Sequence, residues 1–448
     1  MLKLKPLILI IAVSFFSALL RSQNISFSPI FIDNAANFAK KIQPVDINSD
    51  GNLDILGASF SSDKISWYEN MGNNQYQEHI ISDSINMVYS TFGIDLDNDN
   101  DIDVLGISGN EQKVYWYENN GSNIFTEHSF YANISGGRDI SAEDLDNDGD
   151  IDIVTASAID DKITWYENNN MSFQQNDINT SFLGAYCVKI IDLDQDGHKD
   201  ILAGALASNK ISLFKNSGSN LFSEVVLASN YSYPYSIDIA DVDGDSDLDF
   251  LTVSSGDGKL SLFEQISSLN FAEIIIDSTL SAPKSALITD LNGDGLVDYC
   301  AASSGDDRLY AYLTTTGSMA YNKITICISC DNSNSIVASD FDSNGYPDIV
   351  SANYSGNDIR LFLTDVVTFN QDNIAANTAL KKLNNLYWIS FHDYSITSLE
   401  VFNLKGQLVW QDNNYTSNKI FELNTSGLYI YKLNFPDGST RTLKSFNY

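Results

Sequence analysis

The stretch Asp144-Leu-Asp-Asn-Asp-Gly-Asp-Ile-Asp152 decides the fold of this chain. Aspartate stands at its first, third, fifth and ninth positions, and glycine at its sixth. The same frame starts again at Asp46, Asp95, Asp192, Asp241, Asp290 and Asp340, so that the seven starts are 49, 49, 48, 49, 49 and 50 residues apart. A period held that closely means one structural unit repeated seven times.

Each loop has the same neighbours. An apolar run enters it, as in Phe92-Gly-Ile94, and a run rich in small residues leaves it, as in Asp152-Ile-Val-Thr-Ala-Ser157. After a polar turn comes a third run, Lys64-Ile-Ser-Trp-Tyr-Glu-Asn70 or Lys162-Ile-Thr-Trp-Tyr-Glu-Asn168, and then a fourth, Tyr76-Gln-Glu-His-Ile-Ile81. Short β-branched and aromatic runs bounded by Gly, Asn, Asp and Ser read as strands. Four strands per unit are the blade of a β-propeller, and seven units fit its usual four to eight blades. The sequence therefore predicts an all-β chain: a seven-bladed β-propeller over 24–370, a linker over 371–384 and a small C-terminal β-sandwich over 385–448. If the acidic loop joins the first two strands of each blade, blade seven lacks an outer strand. Phe27–Ile32 suits that place and would close the ring; Asp365–Asn370 is the alternative.

The loops point to hard cations. Calcium takes six to eight oxygens from carboxylates, carbonyls and waters. The expected ligands are Asp46, Asn48, Asp50 and Asp54; Asp95, Asp97, Asp99 and Asp103; Asp144, Asp146, Asp148 and Asp152; Asp192, Asp194, Asp196 and Asp200; Asp241, Asp243, Asp245 and Asp249; Asp290, Asn292, Asp294 and Asp298; and Asp340, Asp342, Asn344 and Asp348. An EF-hand would close with Glu at position 12. Here Gly57 or Thr155 stands there, so that motif is excluded. The third and fourth loops, with four aspartates and a glycine, are expected to bind most tightly. Up to seven ions would bring the formal charge of −34 to −20. That acidity excludes nucleic acid, whose phosphates need a basic surface.

These loops resemble the FG-GAP or VCBS repeats of integrin-α-like propellers. The resemblance covers about residues 25 to 365 and implies calcium along one rim, with ligands on the opposite face. Six residues before each loop start, on that opposite face, stand Lys40, Tyr89, Arg138, Tyr186, Tyr235, Lys284 and Asn334. Cations and aromatics around a channel mouth suit sugars or anionic groups; the other reading is wall-packing side chains with polar tips.

Lys3 and Lys5 precede a 15-residue apolar run, Pro6–Leu20, which reads as a signal peptide over 1–23, not a membrane span. Cys187, Cys300, Cys327 and Cys330 do not follow the repeat and read as buried apolar residues. Cys327-Ile-Ser-Cys330 has the spacing of a redox or zinc pair, but it lies in an apolar strand pattern with no second pair, and residues i and i+3 of a strand face opposite ways. His79 and His128 are equivalent positions, and no nucleophile motif or phosphate loop is present. The tail runs Val401–Val409, with Gly406, and Leu423–Tyr429 resemble the C-terminal sorting domain of the Bacteroidetes type IX secretion system. That resemblance implies export through the periplasm and outer membrane. The expected function is a secreted or cell-surface calcium-binding module for carbohydrate or protein, with no catalytic residues. The alternative is a polysaccharide-degrading, lyase-like enzyme.

Overall fold

The computed structural model of the chain describes residues 23–218, 221–315 and 321–368 and, beyond these, the strands between 378 and 447. Among the described residues there is no helix. The expected leader, apart from Gln23, lies outside them. Two compact units are present, one of Ile25–Val366 and one that takes in the C-terminal strands.

Ile25–Val366 is the propeller. Its seven sheets each have four strands. Six of the sheets are antiparallel with their strands in sequential order from the channel outward, and the seventh takes its outermost strand from the N-terminus. Blade three is typical: Gly137–Glu143, Asp152–Ser157, Lys162–Asn169 and Ser172–Asn179. Every second strand is buried along its whole length, because neighbouring blades cover both of its faces. This is why these runs are apolar without alternation. Between blades three and four, Trp165, Phe182, Val188, Ile201 and Phe214 form one core, with Phe182 edge-on to Phe214 at 5.2 Å. Truncating such a ring to alanine costs about 3–5 kcal/mol.

The N-terminal strand closes the circle. Gln23–Asp33 pairs with Asp358–Thr368 and becomes the outermost strand of blade seven. The alternative segment from Asp365 is the end of that third strand. Residues from both ends of the chain share a core: Ala39, Ile42, Ile55 and Tyr68 with Phe341, Val350 and Leu361. The Asn70 amide also donates to the Phe341 carbonyl at 3.0 Å, tying blade one to blade seven.

Cys187 and Cys300 are buried free thiols, as expected. Cys327 and Cys330, read as a further buried pair on opposite faces, instead form a disulfide. The outer strand Tyr321–Cys327 ends at the first cysteine, so the second lies in the turn beyond it. The alternation rule no longer applies there, and the Cα atoms stand 6.0 Å apart, within disulfide reach.

The C-terminal unit has two antiparallel sheets. One orders Thr378–Leu383, Leu386–Phe391 and Ile420–Glu422; the other orders Leu408–Asp412, Ser398–Asn403, Gly427–Asn434 and Thr440–Asn447. Thr378–Leu383 falls inside the stretch read as linker and is a strand because it pairs with Leu386–Phe391.

Candidate functional site: an acidic rim and a cationic channel mouth

All seven acidic loops join the innermost strand of a blade to its second strand, which puts them on one rim. Their geometry is set by hydrogen bonds that repeat from blade to blade. In blade three, the first carboxylate, Asp144, accepts the backbone N–H groups of Asp148 and Gly149, each at 3.1 Å. The ninth-position carboxylate, Asp152, accepts from Leu145 N at 3.2 Å and from Asn168 N at 2.7 Å. It thereby fixes both the loop and the end of the third strand. The sixth residue is left-handed in every loop: Gly149 at φ 99°, for example, but also Asn100 at 73° and Ser246 at 77°. Glycine is the residue that takes this conformation without strain. The loops lacking it adopt the same turn, so its absence does not change the path.

Carboxylate oxygens converge within 4.8 Å of one another in five loops: Asp95, Asp97 and Asp99; Asp144, Asp146 and Asp152; Asp192, Asp194 and Asp200; Asp241, Asp243 and Asp249; and Asp340, Asp342 and Asp348. These groups have the oxygen-rich donor set that calcium takes. In the first and sixth loops Asn48 and Asn292 turn their amides onto Asp50 and Asp294 at 3.4 and 3.1 Å. The ninth-position aspartates are buried. Loss of water pushes their carboxyls up, to about 6 for Asp54, Asp200 and Asp348 and to about 7 for Asp103, Asp152 and Asp298. A bound cation would offset that cost.

In blades one to five the third strand adds a charged residue that the sequence reading did not assign to the rim; Leu313 and Leu363 stand there in blades six and seven. Glu69 accepts from Asn48 at 3.1 Å. Glu118 and Glu167 lie near enough to Asp97 and Asp146 to push those carboxyls up further, after burial and the neighbouring loop aspartates. In blade four the equivalent residue is Lys215. Its ammonium is paired with Asp194 and stands 3.1 Å from Asp196. The third and fourth loops, ranked together from sequence, therefore have opposite surroundings. The signal was present: lysine replaces the glutamate of the Trp-Tyr-Glu-Asn run.

The opposite end of the channel holds the ring. At about 3.3 Å per residue, six residues put it roughly 20 Å from the loops. All seven sequence-predicted residues, Lys40, Tyr89, Arg138, Tyr186, Tyr235, Lys284 and Asn334, line one cavity of about 440 Å³ and are half-buried. Each sits where the inner strand slips register against the second strand, as between Ala39 and Lys41 or between Gly137 and Asp139. A bulge leaves a residue unpaired and re-aims its side chain. Seven bulges at one level turn seven side chains to the mouth.

The mouth is cationic. Lys40 Nζ is 3.3 Å from Asn334 Oδ1 and 5.1 Å from the ring centres of both Tyr89 and Tyr354. Burial first, then the charges of Lys284 and Arg138, bring the Lys40 ammonium down to about 7. The Arg138 guanidinium lies 4.0 Å over Tyr89. Phe38 and Phe60 pack on these rings from the second level, at 4.6 Å from Tyr354 and 5.0 Å from Tyr89. Sequence reading missed them because counting back from each loop start selects one residue per blade, whereas Phe38 lies two residues before Lys40 and Phe60 follows the second strand. Further along the channel, Asp139 is buried and accepts from Lys41 at 3.2 Å, Ser90 at 2.8 Å and Val188 N at 3.2 Å. His79 and His128 stand on the outer strands, stacked on Trp67 and Trp116 at 4.5 and 4.4 Å and bonded to Glu69 and Glu118 at 2.7 Å.

Four-stranded blades, a latched ring and an acidic loop at the same place in each blade define a propeller with repeated cation-type loops. The chain belongs to the FG-GAP-like repeat family, whose model matches residues 46–105, 95–155, 144–203, 192–252 and 290–351, more than half of its length. Among solved structures, it is similar to an Agrocybe aegerita lectin described as recognising non-reducing terminal N-acetylglucosamine. The two are 14% identical over 78% of this chain and 86% of that one, with a TM-score of 0.46. No curated protein matches the chain.

Proposed function

We propose that the protein is a secreted or cell-surface binding module whose propeller, held rigid by calcium in the acidic loops, presents the channel mouth to an extracellular carbohydrate or protein. The convergence of seven bulged side chains on one cavity carries this reading. A role confined to wall packing would not need one residue per blade re-aimed to the same place. Calcium acts structurally, since ions that bind only the folded state stabilise it by mass action. An array of glycans and matrix proteins, probed with the wild type and with the Tyr186→Ala/Tyr235→Ala double variant, tests the face. Loss of the captured ligand in the variant supports it, and unchanged capture refutes it. A melting temperature unmoved by excess chelator would refute the role given to calcium.

The apolar N-terminal run and the tail's likeness to sorting domains support export across both membranes, with the C-terminal strands recognised by the secretion machinery. Deletion from Asn384 onward should strand the protein inside the cell. A polysaccharide lyase is the second reading, and one observation favours it. Lys40, brought down to about 7 beside Arg138 and Lys284, has the basicity of a general base next to groups that would neutralise a uronate. Ultraviolet absorbance from an unsaturated product, lost in Lys40→Gln, would establish it.

A further inference from the structure

We propose that the channel mouth seats the carboxylate or sulfate ester of an acidic saccharide between Lys40, Arg138 and Lys284, with the adjoining sugar rings lying on Tyr186, Tyr233 and Tyr235. This rests on the binding-module reading and names its ligand class.

The first support is the distribution of charge. The chain has 59 acidic residues against 25 basic ones. Its other cations mostly find carboxylates of its own: Lys41 with Asp139, Lys162 with Asp177, Lys323 with Asp277 and Arg360 with Asp358. Among the described residues, Lys40, Arg138 and Lys284 take part in no ion pair. Their polar partners are neutral: Asn334 for Lys40, the Gly137 carbonyl at 3.2 Å for Arg138, and Asn332 Oδ1 at 2.5 Å for Lys284. Lys41, paired with Asp139, and Lys189, close to Asp238, line the same cavity; the other three like charges, at its mouth, raise each other's cost, and an anion between them removes it. The two carboxylates along the channel wall are already engaged, Asp139 as described and Asp238 by Ile288 N at 2.8 Å.

The second support is shape. Beside the main cavity a groove of about 370 Å³ runs past Arg138, Ala158, Leu206, Tyr186, Tyr233 and Tyr235. Tyr186 and Tyr235 meet edge to face at 4.7 Å, and Tyr233 is 49% exposed on a left-handed backbone at φ 56°. Rigid rings with a polar tip offer an apolar face to the C–H face of a pyranose and a hydroxyl to its edge. An acidic peptide would use the cations but not this tyrosine groove.

The test is isothermal titration of the full chain in calcium. The probes are oligogalacturonate, which carries carboxylates only, chondroitin sulfate oligosaccharide, which adds sulfate esters, neutral galacto-oligosaccharide, and poly-glutamate peptide. At least one acidic saccharide should bind on the order of ten-fold more tightly than the neutral one, and comparing the first two probes assigns the anion. Arg138→Gln and Lys284→Gln should each weaken that binding by about ten-fold, the loss expected of one charge-assisted hydrogen bond. Wild-type affinity should fall as salt rises. Tyr233→Ala should weaken the saccharides and leave poly-glutamate unchanged. Neutral saccharide binding as tight as acidic, and surviving both charge substitutions, overturns this inference and leaves the binding face standing. Failure of both acidic saccharides to bind at millimolar concentration, or poly-glutamate binding as tightly as they do, also overturns it. The salt series on the wild type needs no variant, so a misfolded substitution leaves the test intact.

Discussion

Lys215 is predicted to make the fourth acidic loop the weakest of the four-aspartate sites, and replacing it should repair that loop. The ammonium shares Asp194 with any ion held by Asp192, Asp194 and Asp200 and stands 3.1 Å from Asp196. Asp194 is 4% exposed and Lys215 26%, so water screens the contact little. A divalent ion about 4 Å from a fixed ammonium, at an effective dielectric near 20, is opposed by about 8 kcal/mol. The lysine must therefore swing away, giving up its charge-assisted bonds at ~1.5–3 kcal/mol. Calcium affinity of the wild-type fourth loop should then be about 10- to 100-fold below that of the third. Lys215→Met removes the competitor, and Lys215→Glu restores the carboxylate that Glu69, Glu118 and Glu167 supply in the first three blades. Ion counting by native mass spectrometry, together with calcium titration by calorimetry, should show one weak site becoming strong in both variants. The reciprocal Glu167→Lys should weaken one site. If both Lys215 variants titrate as the wild type does, the ammonium does not compete, and the reasoning fails.

Three further outcomes are expected. Asp152→Asn puts an amide N–H₂ against a backbone donor, Leu145 N or Asn168 N; the buried clash should cost ~1–3 kcal/mol. Denaturant melts in chelator should show that loss without calcium, and a loss confined to calcium buffer would mean Asp152 is only a ligand. Deleting the strand up to Asp33 removes the partner of Asp358–Thr368 and should abolish the single cooperative melt of the propeller; an unchanged melt would show that the ring closes without it. For pH, Lys40 faces Lys284, Arg138, Tyr89 and Tyr354, and its ammonium is brought down to about 7 chiefly by burial. A lowered lysine pKa means that the positive charge is lost as pH rises through 7, so acidic-saccharide affinity should fall between pH 6 and 8.5. Lys40→Gln should flatten that slope, and an equal slope in the variant would assign it to another group.

Most of the architecture was legible because a propeller is a repeat, and a repeat states its own unit length. The acidic frame gave the blade count, the position of the turn between the first two strands and the set of oxygen donors. The latch was legible as well, since Phe27–Ile32 resembles a fourth strand lying ahead of the first loop. The seven channel residues could be found by counting back from each loop start. Counting does not say where a side chain points; the bulge at each position does, and a bulge depends on how two strands register in space. The ranking of loops left Lys215 out of account for a similar reason, because the third strand returns past the loop from about 20 residues away and brings its own charge. Cys327–Cys330 was misjudged because strand alternation holds only while the strand continues.

By itself, then, the sequence determined the number of blades, the order of their strands and the carboxylates on the rim, since these follow from local patterns repeated along the chain. Tertiary structure alone decided that seven unpaired residues meet at one mouth, that three cations there lack a carboxylate partner among the described residues, and that one acidic loop already holds an ammonium. Those facts depend on distances between residues far apart in the chain, and the closing of the ring sets those distances.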